Sequence, residues 1–222
     1  MEWSWEVAYD VLPKMADGLL ITVVATLIGS LLAYVLGLVL AILKMSKSRP
    51  VALSSYWSSE FIRRTPLLVQ LYFLFYVLPD FGILLSPLVA GIIGLGIHFS
   101  TYTSEVFRAG IENVHQGQWE ASKSLNYNPY QTMRYVILPQ AVPPMIPPLA
   151  NYLITMFKET PLLSAITVVE LFNAANIYSN SHYTYLEPMI LVGVFFLLVS
   201  IPAAYVAMHL EKKYKLKDST SS

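Results

Sequence analysis

The sequence predicts an all-α, polytopic membrane protein, and three observations carry that prediction. Of the 222 residues, 55% are hydrophobic and only 13% are charged, against roughly 25% charged in soluble domains. Apolar runs recur that are long enough to cross a bilayer: its hydrocarbon core is about 30 Å thick and a helix rises about 1.5 Å per residue, so about 20 apolar residues suffice. Lysine and arginine are segregated along the chain, although the formal net charge is zero. Cysteine is absent, which excludes a disulfide framework, a thiolate metal site and a catalytic thiol.

The N-terminal MEWSWEVAYDVLPKMADG is acidic rather than basic and does not end in a small-residue cleavage pattern, so it does not read as a secretory signal. Trp3 and Trp5 suit a segment lying at the membrane interface. The first expected span runs over 18–43, which holds no charge. Its Gly29, Ser30, Ala33 and Gly37 fall at helical spacing and permit close helix packing. A second span is expected over 61–78, with Arg63 and Arg64 at its entrance, and a third over 87–111, with Glu105 and Arg108 toward its far end. The fourth, 139–157, is rich in proline, and the fifth covers 189–208. Between these last two, Lys158 to Pro188 is mixed in character and has room for a short or re-entrant helix.

Orientation follows from the basic residues. Five spans put twelve of the 14 Lys and Arg on one side, leaving only Lys14 and Lys158 on the other. The basic side is cytoplasmic, so the N-terminus is expected outside and the tail, with Lys212, Lys213, Lys215 and Lys217, inside. Acidic residues lean outward: Glu2, Glu6, Asp10, Asp17, Asp80, Glu159, Glu170 and Glu187. No GxxxxGK[ST] phosphate loop is present, so any ATP hydrolysis must come from another chain. His98, His115, His182 and His209 show no metal-ligand spacing, and the short loops leave no room for a separate ligand-binding or nucleotide-binding domain. His98 reads as a hydrogen-bonded packing residue ahead of a transport residue.

One cytoplasmic stretch differs from the rest: QGQWEASKSLNYNPYQTMRYVILPQA, residues 116–141. From Gln118 to Leu125 it lacks Gly and Pro, and Glu120, Ala121, Lys123 and Leu125 favour helix. Glu120 would fall in the first turn, where a carboxylate complements the helix dipole. Asn126 suits a left-handed C-terminal cap, and Asn128-Pro129 stops continuation. Tyr130 to Leu138 can form a second helix. Ala121 and Ser122 would give the first helix a low profile that another protein could approach. On these grounds alone, an ordinary connecting loop stays open.

The stretch resembles the cytoplasmic signature of bacterial ABC importer permeases: Glu-Ala-Ala, three residues, Gly, nine residues, Ile-x-Leu-Pro. Glu120, Ala121, Leu138 and Pro139 match, with Ser122, Asn126 and Val136 at the Ala, Gly and Ile positions. FIRRTPLLVQLYFLFY, YTSEVFRAGIENVHQGQWEASKSL and VILPQAVPPMIPPLANYLITMFKETPLLSAI are similar to the polar amino acid uptake branch of that family. The resemblance implies the type I importer permease fold and a coupling helix (residues 116–138 as a segment) seated in a groove of an ATPase subunit. Glu120, Ala121, Ser122 and Asn126 are the carried-over coupling positions. The implied partners are an ATPase dimer carrying ATP and Mg, a second permease (identical or sister), an extracytoplasmic solute-binding protein, a small polar solute and membrane lipid, with no nucleic acid. No cofactor is expected in this chain itself, and it is expected not to be an enzyme.

Charges inside a membrane usually face protein or a water-filled cavity. Glu105 and Arg108, spaced i and i+3, are read as a structural pair or as substrate contacts. Lys158, Glu159 and Thr160 end the proline-rich span, and broken helices are where transporters tend to place binding sites. Lys158 or Glu159 is therefore a pathway or outer-gate candidate, or else a structural pair or subunit contact; Asn151 and Tyr152 are further candidates. Charge of both signs along a path suits a zwitterion. LVQLYFLFYVLPDFGILL and FKETPLLSAITVVELFNAANIYSN look most like ectoine and hydroxyectoine permeases, with glutamine, arginine and cystine also open. An ion-coupled secondary transporter and a membrane scaffold or sensor subunit are the rival classes; no inverted repeat supports the former.

Overall fold

The computed structural model of the chain describes residues 3–218, with side chains as far as Tyr214. Glu2 and the side chains of Lys215 and Lys217, counted above on the two sides of the membrane, lie outside the described residues. All regular elements among the described residues are helical.

Helix α1, Trp5–Lys44, has 40 residues, which is about 60 Å or twice the hydrocarbon thickness. It starts well before the expected Gly18 because charged residues interrupt the apolar run without interrupting the helix. Ser4 caps it, its hydroxyl accepting from Val7 N, and Glu6 complements the first turn. Ser4 N also donates to Glu187 Oε1 at 2.8 Å, tying the N-terminus to α9 (Leu186–Asp218). The small-residue stripe of α1 packs on α4 (Pro87–Glu112): Gly29, Ser30, Ala33 and Gly37 are all buried. At Gly37 a Cβ would overlap Thr103 Oγ1, whose hydroxyl donates to Ala33 O at 2.9 Å. The stripe serves packing, as small residues do where two membrane helices approach closely.

The expected span 61–78 straddles a sharp corner. Helix α2, Arg49–Arg64, ends at Thr65, and the helical stretch Leu67–Phe81, which begins with α3 (Leu67–Tyr72), leaves it at 100°. Pro66 offers no N–H to Ile62 O and pushes Thr65 into extended geometry at φ −93°, ψ 130°. Beyond α3 the chain continues through a π turn, Phe73–Val77, and a 3-10 turn, Leu78–Phe81.

Helices α1 and α9 are each long and apolar enough to cross a membrane. Two bent pairs, α2 with Leu67–Phe81, and Pro129–Ile166 with α8 (Leu171–His182), would raise the number to four if each forms one broken span. Helix α4, with 26 residues, is long enough too, but from its middle onward it carries His98, Ser100, Thr101, Thr103, Ser104, Glu105 and Arg108. That polar half faces α1, α2 and α7 (Leu138–Glu159) rather than forming a uniformly apolar rod.

Three buried clusters run along the bundle. One, with Met15, Leu171 and Tyr178, packs α1 on α8. The central one joins Ala33, Leu71, Leu95, Met156 and Leu163. The third, Ile111, Ile137, Ala141 and Met145, holds Trp119 against α4 and α7.

Candidate transport pathway and coupling segment

Helix α5, Gln116–Ser124, begins earlier than Gln118. His115 makes this start possible: its Nδ1 accepts from Gly117 N at 3.1 Å. Glu120 consequently falls in the second turn, where it accepts from Gln116 Nε2 at 3.0 Å instead of complementing the dipole from the first turn. At the far end Asn126 takes the left-handed conformation, φ 57°. Asn126 N donates to Lys123 O at 2.9 Å and Tyr127 N to Ser122 O at 3.0 Å, the paired bonds of a Schellman cap. The next helix, α6 (Pro129–Gln131), starts at once with a capping box between Asn128 and Gln131. A π turn, Thr132–Ile137, leads from it into α7.

Glu120 and Ala121 are exposed, but Ser122 does not share their face. It is 1% exposed, donates to Trp119 O and accepts from Thr132 Oγ1 at 3.1 Å. The expected low-profile face therefore rests on Ala121, and Ser122 joins α5 to the π turn that follows it.

Where α1, α2 and α4 meet, four cations share three carboxylates. Glu105 is the hub: Lys44 Nζ lies 2.8 Å from Oε1, Arg108 Nη2 2.7 Å from Oε2, and Arg63 Nη2 3.5 Å from Oε1. Lys44 is almost fully buried and also donates to Ser104 Oγ. Arg63 reaches Glu60 and Thr101 O, its guanidinium lies 5.3 Å from the centre of the Tyr102 ring, and its Nε is buried without a partner among the described residues. The expected Glu105–Arg108 pair is thus present, but as part of a larger network that includes Arg63 and Lys44.

Two cavities flank this network. The first, 560 Å³, is bounded by Arg63, Arg64, His98, Tyr102, Tyr152 and Glu159 among others. The second, 540 Å³, is bounded by Tyr102, Glu105, His115, Gln140, Pro148 and Tyr152 among others. Tyr102 and Tyr152 belong to both walls, with ring centres 5.8 Å apart. Pro144 and Pro148 lack the N–H groups that Gln140 and Pro144 would otherwise receive in a helix, and all three residues border the second cavity. Irregular backbone hydrogen bonding at membrane depth is tolerated at a cavity wall of this kind. His115, the N-cap of α5, stands in the same wall, so α5 adjoins the second cavity directly.

Among the expected pathway residues, Glu159 and Tyr152 meet at the first cavity, and Tyr152 and Glu105 at the second. Lys158 and Asn151 are exposed and line neither, while Thr160 is buried with its hydroxyl on Phe157 O. Arg108 serves the network through Glu105 and Glu112. Sequence reasoning missed Tyr102, Gln140 and the wall position of His115, and gave Arg63 no role beyond marking a boundary. The available signal for Arg63 was its place two residues before Thr65-Pro66, a forced corner.

The family described as "Binding-protein-dependent transport system inner membrane component" matches residues 33–216. A probable amino-acid ABC transporter permease of Sinorhizobium fredii is 45% identical over 197 residues, covering 89% of this chain and 85% of that protein. A probable glutamine ABC transporter permease of Bacillus subtilis is 31% identical over 207 residues, covering 93% and 96%. Among solved structures, a crystal structure of an amino acid ABC transporter with histidines superposes with a TM-score of 0.88 at 33% identity, covering 96% of this chain and all of that one.

Proposed function

On the premise that this chain belongs to the family of binding-protein-dependent transport system inner membrane components, we propose that it moves a small zwitterion into the cell by alternating access driven from a separate ATPase. It is an inner-membrane ABC importer permease subunit and not an enzyme; ATP hydrolysis belongs to a partner subunit. Amino acids are the favoured substrate class, since the relatives are named for amino acids and for glutamine. Ectoine, glutamine, arginine and cystine are the specific candidates. This membership favours a permease over an ion-coupled secondary transporter or a scaffold subunit.

The observation that carries the mechanism is the continuity between α5 and the pathway: His115 caps the helix and borders the second cavity, and Gln118 accepts from Gln140 of that same wall. In this reading, five spans with the N-terminus outside put α5 in the cytoplasm, and Glu120 and Ala121 meet the ATPase. Movement of α5 reshapes the second cavity, while the first cavity receives solute delivered by the binding protein. Arg63 and Glu159, of opposite sign on the first cavity's wall, suit the two ends of a zwitterion. A second permease, identical or sister, completes the membrane part.

The test is reconstitution. The permease is co-expressed with its ATPase and binding protein, incorporated in liposomes, and assayed for ATP-dependent uptake of radiolabelled glutamine, cystine, arginine and ectoine. Uptake of one of these, competed by the unlabelled compound and abolished without the ATPase, is expected. Uptake that persists without any ATPase would overturn the reading.

A further inference from the structure

We propose that His98 is a specificity-determining hydrogen-bond donor in the first cavity, locked in its Nε2–H tautomer by Gln70, and that it selects solutes carrying a carboxylate. This rests on the first cavity being part of the solute path.

The Gln70 side chain spans the corner made by Pro66. Its Nε2 donates to Ile62 O at 2.7 Å and to Thr65 O at 2.9 Å, and lies 3.1 Å from His98 Nδ1. These two carbonyls fix the amide orientation, because the flipped amide would set its oxygen against both of them. Ile62 O, whose helical donor would be the missing N–H of Pro66, accepts from Thr65 N at 3.2 Å, and Gln70 adds a second bond to it and one to Thr65 O at the same corner.

An amide nitrogen has two hydrogens and no acceptor capacity. A proton on His98 Nδ1 would face another donor, in the neutral Nδ1–H tautomer and in the imidazolium alike. Nδ1 is therefore the lone-pair side, and the proton of the neutral ring sits on Nε2. Among the described residues Nε2 has no hydrogen-bond partner, and it is not one of the buried unpaired atoms. It opens on the cavity that His98 lines with Arg63 and Arg64. Phe99 and Tyr102, with ring centres 5.5 and 5.4 Å from the imidazole, fix the ring plane. His98 thus presents an N–H and never a lone pair to the cavity, next to two guanidinium groups. A carboxylate oxygen satisfies that set, whereas an ammonium finds no acceptor on the ring and is left to Glu159 on the same cavity's wall.

The test uses the full permease–ATPase complex in nanodiscs and in liposomes. With histidine labelled by 15N, a spectrum differenced against His98→Leu is expected to show His98 with its proton on Nε2. A wild-type proton on Nδ1 overturns the proposal. For whichever of radiolabelled L-glutamine, L-cystine, L-arginine and ectoine the wild-type complex takes up, His98→Leu should raise KM about tenfold to a hundredfold, the range for losing one hydrogen bond to a charged group. His98→Gln, which keeps an N–H near Nε2, should recover most of that loss. An unchanged KM in His98→Leu overturns the proposal even if the tautomer is as stated. If the wild-type complex takes up none of the four, the transport reading fails separately, and the spectrum still decides the tautomer.

Discussion

Replacing Glu105 by Gln should destabilise the protein more than replacing Lys44 by Met, and the double substitution should be more stable than Glu105→Gln alone. Glu105 is the acceptor for Lys44, Arg108 and Arg63. Without its charge, Arg108 keeps Glu112 at 2.6 Å and Arg63 keeps Glu60 at 3.2 Å and Thr101 O. Lys44 keeps only the Ser104 hydroxyl, and its side chain is 4% exposed. Stranding one partner of a buried pair costs about 3–5 kcal/mol. Glu105 is itself 30% exposed, so the lower end, about 3 kcal/mol, applies. In Lys44→Met the carboxylate still has Arg108, and the expected cost is about 1 kcal/mol. In the double variant no ammonium is stranded, so the coupling between the two sites should be favourable by about 2 kcal/mol, leaving the double about 1 kcal/mol more stable than Glu105→Gln. The assay is the thermal midpoint of the purified complex for wild type, both single variants and the double. A double variant less stable than Glu105→Gln, or a Glu105→Gln as stable as wild type, would refute the account of the hub.

Three further outcomes are expected. Glu120→Arg should insert and assemble normally yet hydrolyse ATP without uptake, because the residue is exposed on α5 and its side chain hydrogen-bonds only Gln116 among the described residues; normal coupled uptake would remove it from the ATPase interface. Asn126→Gly should be tolerated, while Asn126→Val should cost about 1–2 kcal/mol for a β-branched residue at φ 57° and lower uptake, and equal uptake by the two would sink the cap argument. Gly37→Ala should reduce the yield of folded protein, since its Cβ would overlap Thr103 and reach 3.0 Å from Ser100 O, an overpacking cost of about 1–3 kcal/mol. Gly193→Ala, with nothing within 4 Å, is the control and should express like wild type.

The sequence made legible those features whose cause is local. The Asn126 cap and the stop at Asn128-Pro129 depend on backbone preferences of a few neighbouring residues, and both occur as expected. The small-residue stripe of α1 was legible for a similar reason, because its spacing already defines one helix face. Helix starts were less so. Counting apolar residues finds where a helix can be in lipid, not where it begins, and α1 starts at Trp5 because Ser4 caps it there. The corner at Pro66 was visible as a proline, but a hydropathy window runs across it without registering a bend. Cavity walls were least legible. Tyr102 and Tyr152 are 50 residues apart in sequence and share two cavities only after α4 and α7 pack. The partners of Glu105 likewise come from α1 and α2 as well as from its own helix, and spacing along α4 could reveal only Arg108.

His115 both closes the first turn of α5 and stands in the second cavity's wall. Under the proposed coupling role, a nucleotide-driven subunit and a solute then act on the same few atoms from opposite ends. Coupling free energies between binding sites are reciprocal. By whatever factor a shift of α5 alters the hold of this cavity on solute, solute lodged there alters the ATPase's preference between its own states by that same factor. An occupied exit would therefore be felt by the ATPase before any solute had left.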